Sequence, residues 1–284
     1  MRLPTNGTPT LLGLPYDASS SFLRGPAAAP PLIRKQLWSE ATNPWSETLI
    51  DISVAGALAD AGDLELPPDS TAARERIEAG VAAVYAAGNR VIALGGDHSV
   101  TYPVLRAVGP RFPGVTLLHI DAHPDLNDRF AGDRFSHACP FARILEEGLV
   151  ARLVQVGIRT MSGHQRAQAD RFAVEVLDMR AWSAGVRPSS AALAGPVYLS
   201  LDLDGIDPAF APGVSHQEPG GLSVRDVITL IQRLPGPIVG ADVVELNPLC
   251  DLGATTARVA AKLVKEIASR MITTAASAPE SSQP

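Results

Sequence analysis

Eight short runs in this chain carry apolar residues at successive rather than alternate positions. A strand that alternates keeps one face for water. One that does not is buried on both faces, as in the parallel sheets of α/β domains. The runs lie near residues 10–14, 48–54, 91–94, 115–120, 153–157, 173–177, 197–203 and 238–244. Helical periodicity fills several of the intervals. Ser70 is expected to cap a helix through 87, Ser99 one through about 108, and Ser223 one over 224–234. Gly253 precedes a long helix to about 274, with Val259, Leu263, Ile267 and Met271 at spacing four. The Pro-rich stretch 25–31 reads as an ordered loop that ends at a helix start. The alternation predicts an α/β fold: one three-layer α/β/α domain with a mostly parallel sheet over 1–274. The polar tail 275–284 is expected to be disordered.

Three of the runs lead straight into aspartates and histidines. VIALGGDHS supplies His98, VTLLHIDAHPDL supplies Asp121, His123 and Asp125, and VYLSLDLDGIDP supplies Asp202 and Asp204. In such sheets ligands bind outside the carboxyl ends of the strands. Spacing two keeps Asp121, His123 and Asp125 on one face, and likewise Asp202 and Asp204. Four carboxylates cannot gather there without a compensating cation. Two histidines with four carboxylates and no thiolate form a hard, oxygen-rich set, which favours Mn²⁺ over structural zinc. Two such ions can share carboxylates and activate a water. The same ligands accept Co²⁺, Ni²⁺ or Fe²⁺. Binuclear phosphoesterases are set aside, because Gly-Gly-Asp-His precedes the Asp-x-His element and the later Asn-His and His-x-His ligands are missing. His119 and His164 read as core or surface residues.

GGDHS (95–99), DAHPD (121–125), SLDLDGIDPAFAPG (200–213) and DVVELNP (242–248) together resemble the ureohydrolase family, which includes arginase and agmatinase. The match spans about 11–271. The resemblance implies the arginase fold, two Mn²⁺ ions and hydrolysis of a guanidino group to urea and an amine. Carried over, His98 and Asp125 hold one ion, His123 and Asp204 the other, and Asp121 and Asp202 bridge them. Asp97 is implied to orient the site. His137, in FSHACPF, is implied to sit near the leaving amine, where a histidine suits proton transfer near neutral pH. Glu245 is implied to clamp the guanidinium. With Asp125, these two complete the expected catalytic set.

SSFLRGPAAAPP (20–31), FSHACPFARI (135–144), APGVSHQEPGGLSVRD (211–226) and VAAKLVKE (259–266) are most similar to the plant-type, agmatinase-like arginases. That similarity implies L-arginine as substrate, with urea and L-ornithine as products. Asn127, Ser136, Ser215, His216 and Glu245 are expected to bind it. The loop after Arg159 has Thr160, Met161 and Ser162 but no acidic residue to recognise an α-amino group. Agmatine, or another guanidino acid, is therefore the alternative substrate. A catalytically inactive metal-binding protein on the same fold is the alternative of a different class.

Composition agrees. The net charge is −6 with no basic run, so no nucleic-acid partner is expected. No apolar stretch approaches the roughly 20 residues of a membrane span, and residues 1–9 lack a signal-peptide core. With only two cysteines, Cys139 and Cys250, no disulfide framework is expected, and a reducing compartment fits. A cytoplasmic homo-oligomer, trimer or hexamer, acting on a small guanidino substrate is expected.

Overall fold

The computed structural model describes residues 7–276. Eight strands form one sheet: β1 (Pro9–Gly13), β2 (Ala59–Asp63), β3 (Arg90–Leu94), β4 (Thr116–Ile120), β5 (Arg152–Ile158), β6 (Glu175–Asp178), β7 (Val197–Asp202) and β8 (Ile238–Val244). Their order is β2-β1-β3-β8-β7-β4-β5-β6, and every pairing is parallel. Three of the four middle strands, β3, β7 and β4, carry the metal motifs at their C-terminal ends, and the fourth, β8, leads into Glu245. The chain alternates between them and the sheet margins, so residues far apart in sequence meet at one edge of the sheet.

Helices cover both faces. On one face α8 (Thr255–Ala276) packs against α1 (Ala29–Leu37) and α7 (Val224–Gln232), and Ile33, Ile231, Leu263 and Ile267 meet the sheet's apolar side chains. On the other, α2 (Ser70–Ala86), α3 (Thr101–Val108) and α4 (Pro140–Glu146) bury Ile77, Val81, Leu105 and Ile144. Two short helices, α5 (Gly163–Arg171) and α6 (Met179–Ser183), flank the β6 edge. The apolar side chains of the middle strands are buried on both faces, which is why those strands read as unbroken runs rather than alternating ones.

Four expectations need correction. Residues 48–54 are not a strand: Leu49 is 76% exposed at φ 62°, and only an isolated antiparallel bridge joins Trp45 to Asp51. The strand of that region is β2, whose polar ADAGD sequence is exposed from Asp60 onward at the sheet edge, where no apolar pattern is required. Asp69, not Ser70, caps α2, its carboxylate accepting from Ala72 N. Ser99 is likewise no cap: Asp97 accepts from Ser99 N and starts a 3₁₀ turn, His98–Val100, ahead of α3. Finally, α8 continues through Ala276, past the expected end of the domain, and residues 277–284 of the tail lie outside the described residues. Ser223 does cap α7, in a capping box with Asp226.

Candidate metal centre and substrate pocket

The ends of β3, β4 and β7 bring all six expected ligands together. His98 Nδ1 faces Asp202 Oδ2 at 3.0 Å, Asp121 Oδ2 at 3.1 Å and Asp125 Oδ2 at 3.2 Å. His123 Nδ1 faces Asp204 Oδ2 at 3.0 Å and Asp121 Oδ1 at 3.4 Å. Asp121 thus belongs to both groups, one through each oxygen. The local backbone explains the aim. Asp202 Oδ1 accepts from Asp204 N (2.8 Å), and Asp204 Oδ1 from Ala122 N (3.1 Å), leaving each Oδ2 turned inward. Asp125 sits at φ 48° and Glu245 at φ 66°, conformations that L-residues adopt at a cost of about 1–3 kcal/mol each. Both strained residues lie in the site.

This donor set fits divalent cations. His98 Nδ1 is fully buried, makes no hydrogen bond, and has three carboxylate oxygens around it. Neighbouring ligands of an octahedral ion with bonds of about 2.1 Å lie about 3.0 Å apart, the spacing found here. Without cations the cluster is electrostatically unsatisfied. Burial, then the nearby Asp204 and Asp121, hold Asp202 well above the usual carboxylate range. Burial and Asp121 push Asp204 up to about 7. Burial opposes charge on His123, but Asp204 and Asp121 outweigh it and push the imidazole up to about 12.

A buried polar row lies one step below the ligands. Register places Gln155, His119, Ser200 and Asp242 side by side across β5, β4, β7 and β8. Ser200 Oγ donates to Asp242 Oδ1 (2.7 Å) and accepts from His98 Nε2 (2.9 Å). Asp242 also accepts from Tyr198 OH and Thr101 Oγ1. These bonds place the hydrogen on His98 Nε2 and leave its Nδ1 lone pair facing the carboxylates. Gln155 Nε2 donates to Pro124 O (2.7 Å) and to His119 Nδ1 (3.0 Å), so His119 Nε2–H donates to Asp121 Oδ2 (2.7 Å). His119 is therefore a core residue, as expected, but one that holds a ligand. Its spacing of two from Asp121 was the available signal.

Above the ligands is a cavity of about 140 Å³ lined by Ser21, His123, Asp125, Asn127, Phe130, His137, Ala138, Gln165, Asp202, Asp204, His216 and Glu245. Glu245 follows β8; its Oε1 accepts from His98 N (2.9 Å) and lies 3.3 Å from His137 Nδ1. Burial would raise the Glu245 pKa, but His137 outweighs it and keeps the group ionised. Burial lowers the His137 pKa, while Glu245, Asp125 and Asp97 outweigh that and push it up to about 9. Asp97 caps the turn that carries His98, its carboxylate accepting from Ser99 N. It accepts from Ser19 N and Ser20 Oγ, fastening the loop after β1 over the site.

Asn127 and His216 line the cavity as expected, with the His216 ring 5.0 Å from that of His137. Ser136 and Ser215 do not line it. Ser136 is spent on the turn into α4, accepting from Ala138 N, and Ser215 Oγ joins Leu23 O to Asn247 Nδ2. Ser21, Phe130, Ala138 and Gln165 were missed. Ser21, Phe130 and Ala138 arrive from loops whose path no local pattern encodes, and Gln165 from the first turn of α5.

A sheet of this order with a carboxylate–histidine cluster and a carboxylate-floored pocket defines a metal-dependent hydrolase of the ureohydrolase class. The pattern described as "Arginase family" matches residues 8–269, and the chain belongs to the arginase family. It is 46% identical to Arginase 1, mitochondrial, of Arabidopsis thaliana over 276 residues, covering 92% of this chain and 80% of that protein. It is 37% identical to guanidinopropionase of Pseudomonas aeruginosa, covering 94% and 89%. The arginase structure from Medicago truncatula superposes with a TM-score of 0.86 at 42% identity, covering 93% of this chain and 87% of that one.

Proposed function

We propose that the protein hydrolyses L-arginine to urea and L-ornithine with two Mn²⁺ ions. The observation that carries the reading is the ionised Glu245, buried at the cavity floor beside the six-ligand cluster and facing the space a guanidinium would fill. The arginases among the relatives support arginine over agmatine.

His98 and Asp125 would hold one ion, His123 and Asp204 the other, with Asp121 and Asp202 shared. When bound, the pair supplies the Lewis acidity that makes water nucleophilic near neutral pH. The rest falls to the chain. Glu245 accepts hydrogen bonds from the planar guanidinium, which fixes its carbon above the ligands and removes orientational freedom. The carboxylates keep the two ligand histidines in place, and the Gln155–His119 pair keeps Asp121 in place. His137 holds a proton within the cavity for the departing amine. Asn127, Phe130, Gln165 and His216 form the outer wall, where substrates differing in their amine half are distinguished.

No helix among the described residues is long and apolar enough to cross a membrane. A cytoplasmic homo-oligomer remains our reading; both cysteines are free thiols, as a reducing compartment requires. The test of function is parallel urea release from arginine, agmatine and guanidinobutyrate after loading with Mn²⁺. Arginine is expected to give the highest kcat/KM by at least tenfold. Faster turnover of agmatine would assign the alternative specificity, and bound metal without turnover of any of the three would overturn the enzyme reading.

A further inference from the structure

The serine-rich loop after β1 enters no step described so far. It is welded to the site: Ser19 N and Ser20 Oγ donate to Asp97 Oδ2 at 3.0 and 3.3 Å, and His137 N donates to Ser19 O at 3.2 Å. These bonds deliver Ser21, an exposed residue, to the cavity wall, where its Oγ lies 2.8 Å from His137 Nε2. Across the ring, His137 Nδ1 faces Glu245 Oε1 at 3.3 Å. An ionised carboxylate only accepts, so Nδ1 carries a hydrogen. Nε2 is then the nitrogen that gains or loses the mobile proton. With both nitrogens engaged, His137 has no open line to a departing amine. A hydroxyl suits the Nε2 position in both charge states, because it accepts from Nε2–H and donates to the Nε2 lone pair.

We propose that Ser21 is a catalytic residue that relays the proton of His137 to the leaving amine. The proposal rests on the guanidino-hydrolase reading above. As the C–N bond of the tetrahedral adduct breaks, its electron pair stays on the amine nitrogen, which bonds to the Ser21 hydroxyl hydrogen. Ser21 Oγ takes the Nε2 proton of His137 in the same step. His137 regains a proton from the water consumed in the attack, so the cycle closes without another reactant.

The experiment compares wild type, Ser21→Ala and Ser21→Thr on two substrates. One is arginine. The other is its isothiouronium analogue, in which sulfur replaces the leaving nitrogen, so that a thiolate departs without needing a proton. For Ser21→Ala, kcat on arginine is expected to fall about 100-fold. Its KM, its metal content and its kcat on the sulfur analogue should each stay within about threefold. Ser21→Thr, which keeps the hydroxyl, should recover most of the arginine rate. Equal losses on both substrates, an arginine kcat within threefold of wild type, or a threonine variant as slow as alanine would overturn the relay. Wild type that releases no urea from arginine would instead overturn the functional reading on which it stands.

Discussion

Loading this site with cations must expel protons, and the cluster itself sets how many. Burial, then Asp204 and Asp121, hold Asp202 well above the usual carboxylate range, which favours its protonated form in the cation-free protein. Asp204, at about 7 for the same kinds of reason, is half protonated there. Burial opposes charge on His98 and His123, but the carboxylates around them outweigh it and raise both, His123 to about 12, so that His123 carries an extra proton. Coordination requires these groups deprotonated, so at least about one proton should leave per chain at pH 7, from His123, with a further fraction from Asp204. The sign follows directly. Groups with raised pKa values let protons compete with the cation, so affinity falls as pH falls, by at least about tenfold per pH unit below 7. Calorimetric titration of Mn²⁺ into chelator-stripped protein, in two buffers of different protonation enthalpy, counts the protons. Repeating it at pH 6 gives the slope. Release of fewer than one proton, or less than a tenfold loss of affinity between pH 7 and 6, would refute the reasoning.

Glu245→Gln keeps an acceptor for His98 N but removes the charge that meets the guanidinium. It should lower kcat/KM about 100-fold, equivalent to roughly 3 kcal/mol, with metal content unchanged by elemental analysis. His119→Phe fills the same space without the N–H that holds Asp121, so metal affinity measured against a competing chelator should drop about 10–100-fold. A Cβ on Gly96 would lie 1.7 Å from Tyr16 O, a backbone atom with nowhere to move, so Gly96→Ala should cost more than about 3 kcal/mol in denaturant unfolding.

The parts of the fold that the sequence declares are those where burial dictates composition. β8 coincides with its apolar run because both of its faces are covered, and the same holds within a residue or two for β3, β4, β5 and β7. β2 escapes notice because an edge strand needs no apolar residues, and α5 because its polar sequence buries only Gln168 and Ala169. The six ligands were legible because five stand at spacing two at or just past the ends of β4 and β7, and His98 follows β3 in the Gly-Gly-Asp-His turn. The supporting row was only half legible. His119 and Ser200 stand two residues before Asp121 and Asp202, but their alignment with Gln155 and Asp242 comes from sheet register, which no single strand encodes. Ser21 reaches the cavity through a loop path fixed by tertiary bonds, those of Asp97 to the serine loop.

The central claim is that these six side chains hold two divalent ions on which guanidino hydrolysis depends. Elemental analysis of the Mn²⁺-loaded protein, run beside a urea assay, tests it most directly. The account predicts two ions per chain in wild type, and at most one in Asp204→Ala with urea release from arginine reduced to background. Two ions retained in Asp204→Ala, or full urea release by protein stripped of metal, would contradict it.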